Sequence, residues 1–282
     1  MTTKETNVRD GYLEGVPCWI DSGRADAGPM LRFYGGLFGW SFDERGPGYN
    51  VARLGGLDVT AIGSQETGTP APPVWNTYVC VTSTEAACAR VHGAGGEVVT
   101  APFAVGDAGT MAELADPAGA HICVWEPGTH RGAQLVNAPG SWNWSSLATT
   151  DLEGALTFYE VVFGWEATTM EWEGVTSVMW RRPGYGEELE RLYPGTLARH
   201  AAAQAPEGFS DAVAWAMASS DDRSSWGVTF AVEDTDAVAA RAAELGGTVV
   251  VAPYDAGPVR EAVLHDPEGA RFSISSYDPP AG

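Results

Sequence analysis

The chain repeats itself at long range. Trp19, Phe33-Tyr34 and Leu37-Phe38-Gly39-Trp40 return as Trp144, Phe158-Tyr159 and Val162-Phe163-Gly164-Trp165. A second block, Trp75 to Pro102 with Gly95-Gly96 and Val98-Val99, returns as Trp226 to Pro253 with Gly246-Gly247 and Val249-Val250. Both copies end in an Asp-Pro-x-Gly-Ala turn, at Asp116 to Ala120 and at Asp266 to Ala270. A repeat of this length is a duplicated structural unit, so the chain reads as two homologous domains in tandem. Its 282 residues suit that count and allow each domain a core of its own.

Each half resolves into two smaller units of one kind. A strand near Pro17 to Asp21 precedes a helix over Ala27 to Phe38, where Met30, Phe33, Tyr34, Leu37 and Phe38 recur at helical spacing. Strands at Trp40 to Glu44, Tyr49 to Leu54 and Val59 to Ile62 follow, separated by glycine-rich turns. The stretch Gly68 to Pro73 is too rich in proline for a strand and reads as a connection. The second unit has a strand at Trp75 to Val81 and a helix at Thr84 to Ala94, capped by Thr84 and stopped by Gly95-Gly96. Strands near Glu97 to Ala101, Met111 to Ala115 and His121 to Trp125 complete it. The expected class is α+β, with four βαβββ modules forming two domains.

The expected boundaries are a tail over 1–13, a first domain over 14–127, a polar linker over 128–140 and a second domain over 141–279. The second copy also holds an insertion, 182–213, with Pro183-Gly184-Tyr185-Gly186 and helical stretches around Pro194. A segment of that size without a core either covers a site as a lid or clasps the domains together.

Acidic residues outnumber basic ones 37 to 16, giving a formal charge of −21. Such a surface repels phosphate backbones and anionic membranes, so neither nucleic acid nor membrane is an expected partner, and it favours cations. No apolar run approaches the roughly 18 residues needed to span a bilayer, and Met1 to Tyr12 lacks the basic start and apolar stretch of a secretion signal. The cytoplasm is therefore the expected location. Cys18, Cys80, Cys88 and Cys123 all fall in the first half with no Cys-x-x-Cys pair, which reads as free buried thiols. No dinucleotide, nucleotide or serine-hydrolase fingerprint is present.

The pattern Phe-Tyr-x-x-x-Phe-Gly-Trp with Asp-Pro-x-Gly-Ala, set in βαβββ modules, resembles the vicinal-oxygen-chelate superfamily of glyoxalases, extradiol dioxygenases and bleomycin-binding proteins. The resemblance spans about Gly15 to Tyr277 and is nearest to the tandem-domain actinobacterial glyoxalase-like members. It implies curved mixed sheets around a cavity, with two histidines and a glutamate holding a divalent metal. Counted from Asp26 and Asp151, the first histidine position holds Trp19 and Trp144. Counted from Val81 and Val232, the second holds Asn76 and Gly227; counted from Asp116 and Asp266, the glutamate position holds Cys123 and Ser273. An indole N–H donates a hydrogen and offers no electron pair, so the tryptophans cannot replace histidine. No metal and no other cofactor is expected.

Aromatic surface remains. The chain has 11 tryptophans, and Trp19 and Trp144 either stack on a planar ligand or fill their cavities. Glu113 should point into the first cavity, where extradiol relatives place a tyrosine, or reach the rim; His121 shares a strand face with Cys123. The ligand-lining set expected from sequence is Trp19, Asn76, Glu113, His121 and Cys123 in the first domain, and Trp144, Trp180, Gly227 and Ser273 in the second. Three functions compete. The leading one is metal-independent binding of a hydrophobic or aromatic, cationic or neutral natural product, used for self-protection by sequestration. The second is a cofactor-independent lyase, isomerase or tailoring enzyme in which Glu113 or His121 moves a proton. The third is an interaction scaffold with filled cavities. The chain would act as a monomer or homodimer.

Overall fold

The computed structural model describes residues 7–64, 73–172, 175–219 and 221–277. Of the connection expected at Gly68 to Pro73, only Pro73 lies within the described residues, as do the domain ends 7–13 and up to 277. The four modules run in order. The first is β1 (Pro17–Arg24), α1 (Gly28–Phe38), β2 (Ser41–Glu44), β3 (Tyr49–Leu54) and β4 (Leu57–Ser64); the second is β5 (Asn76–Cys80), α2 (Thr84–Gly93), β6 (Glu97–Val105), β7 (Gly109–Ala115) and β8 (His121–Pro127). The third is β9 (Trp142–Thr149), α3 (Leu152–Phe163), β10 (Glu166–Trp172), β11 (Val175–Arg181) and β12 (Ala212–Ala218). The fourth is β13 (Ser225–Ala231), α6 (Thr235–Glu244), β14 (Thr248–Ala256), β15 (Val259–His265) and β16 (Arg271–Tyr277). Between β11 and β12 the insertion forms α4 (Tyr185–Leu192), α5 (Thr196–Ala202) and a 3₁₀ turn at Phe209–Asp211.

Each pair of modules makes one eight-stranded mixed sheet. The first has the order β2-β3-β4-β1-β5-β8-β7-β6 and the second β10-β11-β12-β9-β13-β16-β15-β14. In each, the central pair is antiparallel and flanked by parallel pairs, β1 with β4 and β5 with β8, then β9 with β12 and β13 with β16. The edge strands β6 and β14 run past Pro102 and Pro253. Each proline falls at a break in the ladder register, where a missing N–H costs no sheet hydrogen bond.

The repeated motifs close the two halves on each other. In Phe-Gly-Trp, Gly39 and Gly164 end α1 and α3 with φ of 74° and 70°, a left-handed conformation that suits glycine. The chain then turns back, stacking Trp40 on Tyr34 and Trp165 on Tyr159, each pair with ring centres 5.5 Å apart. The tyrosine hydroxyls cross to the other domain. Tyr34 donates to Asp266 at 3.0 Å, and Tyr159 donates to Asp116 at 3.2 Å. Arg24 also reaches Asp266 at 2.8 Å, with both side chains almost fully buried. A side chain on Gly96 would sit 2.4 Å from the Phe158 ring, and one on Gly247 3.1 Å from the Phe33 ring. The Gly-Gly pairs are thus seats for the opposite domain's phenylalanines. Two hydrophobic cores result, one joining α1 to strands of the fourth module and the other joining α2 and α3. Because each core draws on both domains, the chain is expected to unfold as one unit.

One cap differs from the sequence expectation. Ser83, with extended backbone, caps α2 by accepting from the Ala86 amide at 3.2 Å, while Thr84 already lies in the first turn and its amide and hydroxyl bind Glu126. All four cysteines are free and buried. Among the described residues no helix is long and apolar enough to cross a membrane.

Candidate functional site

Strand register places the concave faces of the two sheets in correspondence, position by position. Trp19 pairs with Tyr78, Tyr78 with Cys123 and Cys123 with Glu113; in the second sheet Trp144 pairs with Thr229, Thr229 with Ser273 and Ser273 with Val263. Asp21 pairs with Asn76 and Ala61, and its counterpart Ser146 pairs with Gly227 and Trp215. Met111 opposite Trp125 corresponds to Glu261 opposite Ser275.

The first concave face is occupied by its own side chains. Asp21 accepts hydrogen bonds from Tyr78 at 2.9 Å, Asn76 at 2.9 Å and Tyr49 at 3.1 Å, and Trp19 donates to the Tyr49 hydroxyl at 3.1 Å. Burial raises the Asp21 carboxyl above the usual aspartate range, against the lowering effect of those donors. The linker closes the face from outside: His130 stands edge-on to Trp19 with ring centres 4.5 Å apart, and its carbonyl accepts from the Trp125 indole at 2.9 Å. Burial lowers the His130 pKa. Trp19, Tyr78, Cys123 and Trp125 are each no more than 6% exposed.

The second concave face is built of smaller residues and is only half-buried. Ser146, Gly227, Thr229 and Ser273 stand where the first face has Asp21, Asn76, Tyr78 and Cys123, and all are partly exposed. Trp144 and Trp215, also partly exposed, meet edge-on with ring centres 6.0 Å apart. The insertion reaches this face. Its Phe209 packs on Trp144 at 5.8 Å and is backed by His200 at 5.3 Å, whose Nδ1 contacts Ser210 at 2.8 Å. The base of the excursion is tied by Arg182 N–H to the Asp211 carbonyl and by Gly186 N–H to the Asp211 carboxylate. The same insertion holds the amino-terminal segment, through Arg182 donating to the Glu14 carbonyl at 2.9 Å and Arg9 over the Tyr193 ring at 4.6 Å.

The residues singled out from sequence thus divide. Glu113 and His121 come together, His121 Nδ1 lying 2.8 Å from Glu113 Oε1, with Thr100 also bonded to Glu113. His121 is 54% exposed, so this pair sits at the rim of the first face. Trp144, Gly227 and Ser273 share the second concave face. Trp180 does not join them: it is fully buried on the opposite side of the sheet, against Tyr159 at 4.8 Å and Trp165 at 5.4 Å. Register explains this correction, since Met179, opposite Trp215, takes the concave side and its neighbour must point the other way.

Sequence reasoning missed Asp21, Trp215, Phe209 and Glu261. Glu261 lies two residues before Val263 and so on the same strand face, a period-two signal that the sequence carries. Its carboxyl is raised by burial, against the hydrogen bonds of Ser273 and Tyr254, and the Tyr254 phenol is pushed up to about 12 by burial and by that carboxylate.

A divalent metal of the kind the fold implies does not fit these faces. The three positions offer Trp, Asn and Cys in one domain and Trp, Gly and Ser in the other, and Asn76 is committed to Asp21. Among the described residues no three of His, Cys, Asp and Glu stand close enough to share an ion.

Comparison with known proteins agrees with the architecture. A family model described as a glyoxalase-like domain matches residues 19–125 and again 144–275. The putative glyoxylase CFP32 of Mycobacterium tuberculosis is 36% identical over 277 residues, covering 94% of this chain and 96% of that protein. The anthracycline biosynthesis protein DnrV of Streptomyces peucetius is 34% identical over 284 residues, covering 93% and 94%. Among solved structures, the Mn(II)-bound glyoxalase from Novosphingobium aromaticivorans superposes with a TM-score of 0.61 at 14% identity, over 95% of this chain and 85% of that one. The fold, the twice-matched domain and the full-length relatives together place this chain in the glyoxalase-like family of the vicinal-oxygen-chelate superfamily, as a tandem-domain member.

Proposed function

We propose that this chain binds a planar aromatic small molecule, without a metal of its own, on the concave face of its second domain, and that the ligand is a natural product. The observation that carries this reading is the pair of partly exposed indoles, Trp144 and Trp215, beneath Phe209, on a face where Ser146, Gly227, Thr229 and Ser273 leave room that the first domain fills. Aromatic faces stack on planar ligands with gains of about 0.5–1.5 kcal/mol beyond burial, and small hydroxyl residues around them give orientation without blocking entry. The insertion serves as a wall of this site and as a clasp on the amino-terminal segment. The full-length relatives named as anthracycline biosynthesis proteins support a place in natural-product metabolism.

Two uses of that binding remain distinct. Sequestration needs affinity alone. A tailoring reaction needs a group that moves a proton beside the bound ligand, and the Glu113–His121 contact, at the rim of the first domain's filled face, does not stand beside a ligand held in the second. Tryptophan fluorescence titrated with a panel of fused-ring aromatic natural products tests the binding. Saturable quenching that Trp144→Ala and Trp215→Ala abolish is expected; quenching unaffected by either substitution contradicts the site. Mass spectrometry of the recovered ligand then separates the uses. An unchanged ligand means sequestration, and a conversion product means a tailoring reaction.

A further inference from the structure

The second face carries a carboxylate that the fold does not require. At the position of Glu261 the first domain has Met111, packed against its apolar core, and the same βαβββ architecture forms around it. Glu261 shares the concave side with Val263, Ser273 and Ser275, because residues two apart on a strand face the same way and partners across a ladder share a face. Burying a carboxylate is costly unless donors surround it. Tyr254 faces Glu261 across the ladder and Ser273 lies on the same face, and both hydroxyls favour its charged form, with a smaller contribution from Arg271. A carboxylate has about four acceptor positions, so it keeps capacity to accept from a ligand.

Distance defines the ligand. Neighbouring strands lie about 4.8 Å apart and residues about 3.3 Å apart along a strand, so the three steps from β15 through β16 and β13 to β9, with the two residues from Val263 to Glu261, set Glu261 about 16 Å along the sheet from Trp144, less the shortening by curvature and the reach of the two side chains. A fused aromatic system of three or four rings spans that gap. The end that reaches Glu261 must carry a hydrogen-bond donor, since another acceptor would face the carboxylate in repulsion. A neutral hydroxyl is the simplest donor that an aromatic ring system carries at its end.

We propose that Glu261 is a specificity-determining residue that accepts a hydrogen bond from an aromatic hydroxyl at the far end of a fused-ring ligand stacked on Trp144 with Trp215 against its edge. This rests on the second concave face being the aromatic site, and the test keeps the two claims apart. The probes are 2-hydroxyanthraquinone and 2-methoxyanthraquinone, which differ in the donor, titrated at neutral pH into the full chain and into Glu261→Gln, Glu261→Met and Trp144→Ala. A charge-assisted hydrogen bond discriminates by about tenfold or more.

The expected result is tighter binding of the hydroxy probe by that factor in the unaltered chain. The preference should vanish in both Glu261 variants while affinity for the methoxy probe stays unchanged, and Trp144→Ala should weaken both probes. Equal affinity for the two probes in the unaltered chain, or a preference that survives Glu261→Gln, overturns the role of Glu261 and leaves the aromatic site standing. If both Glu261 variants bind neither probe, the carboxylate supports the wall of the site instead of the ligand, and the proposal falls. If the unaltered chain binds neither probe, or Trp144→Ala changes nothing, the site itself is wrong and this inference falls with it.

Discussion

The two concave faces of this molecule descend from one pattern and have been put to different ends. In the first, Tyr49, Tyr78 and Asn76 converge on the buried Asp21, Trp19 donates to Tyr49, and the linker sets His130 against Trp19. In the second, the matching positions carry Ser146, Gly227, Thr229 and Ser273, and two indoles stay partly open beneath Phe209. The same backbone therefore supports a polar core in one copy and a candidate site in the other. Neither copy's role can be read from the tryptophan at its centre, since Trp19 and Trp144 occupy equivalent places. The neighbours decide. A tyrosine or aspartate beside the indole consumes it, and a glycine or serine leaves it available.

The comparison predicts a division of labour between the two tryptophans. Trp19→Ala removes a buried ring and the donor to Tyr49, and should lower stability by about 3–5 kcal/mol in urea unfolding. Trp144→Ala takes away a partly exposed ring and should cost about 1 kcal/mol, while removing aromatic ligand binding. A stability loss of the same size in both would erase the distinction. Next in size, Thr229→Tyr installs the first domain's residue in the second face. Affinity for 2-hydroxyanthraquinone should fall about tenfold or more, with the unfolding midpoint shifted by no more than about 1 kcal/mol.

The two closing side chains differ in chemistry, His130 over one face and Phe209 over the other, which gives a smaller and pH-dependent effect. Burial lowers the His130 pKa below its usual 6.5, with Asp58 acting upward and Arg45 downward. The unfolded chain then takes up its proton at higher pH than the folded one. The resulting stability is fully present above about pH 6.5 and is lost as pH falls through the lower folded value. His130→Phe should flatten part of that decline in urea midpoints measured across the range. Some slope should persist, because burial also lowers His200. The smallest expected effect is at the rim of the first face. Glu113→Gln breaks an exposed pair and should change stability by less than about 1 kcal/mol.

Much of the fold was legible because its signals are local or repeated. Helix-ending glycines, strand alternation and the duplicated motifs gave the four modules, and the resemblance gave the cavity-forming sheets. What the motifs are for was not legible. Tyr34 and Asp266, or Gly96 and Phe158, meet only across the pair of domains, and no spacing within one copy encodes that contact. Asp21 escaped notice for a similar reason. A lone aspartate on a strand carries no sign that Tyr49, Tyr78 and Asn76 will close on it. Trp180 was misplaced by one residue, and on a strand one residue is the whole difference between the cavity and the core.

The central claim is that the second face is the ligand site and the first is its filled counterpart. A crystal structure of the full chain with 2-hydroxyanthraquinone tests it most directly. The account predicts the rings stacked on Trp144 with Trp215 at their edge and Phe209 beside them, the hydroxyl at Glu261 and the Asp21 network of the first domain undisturbed. Density for the probe beside Trp19, with Tyr49 or His130 displaced to admit it, would contradict the account.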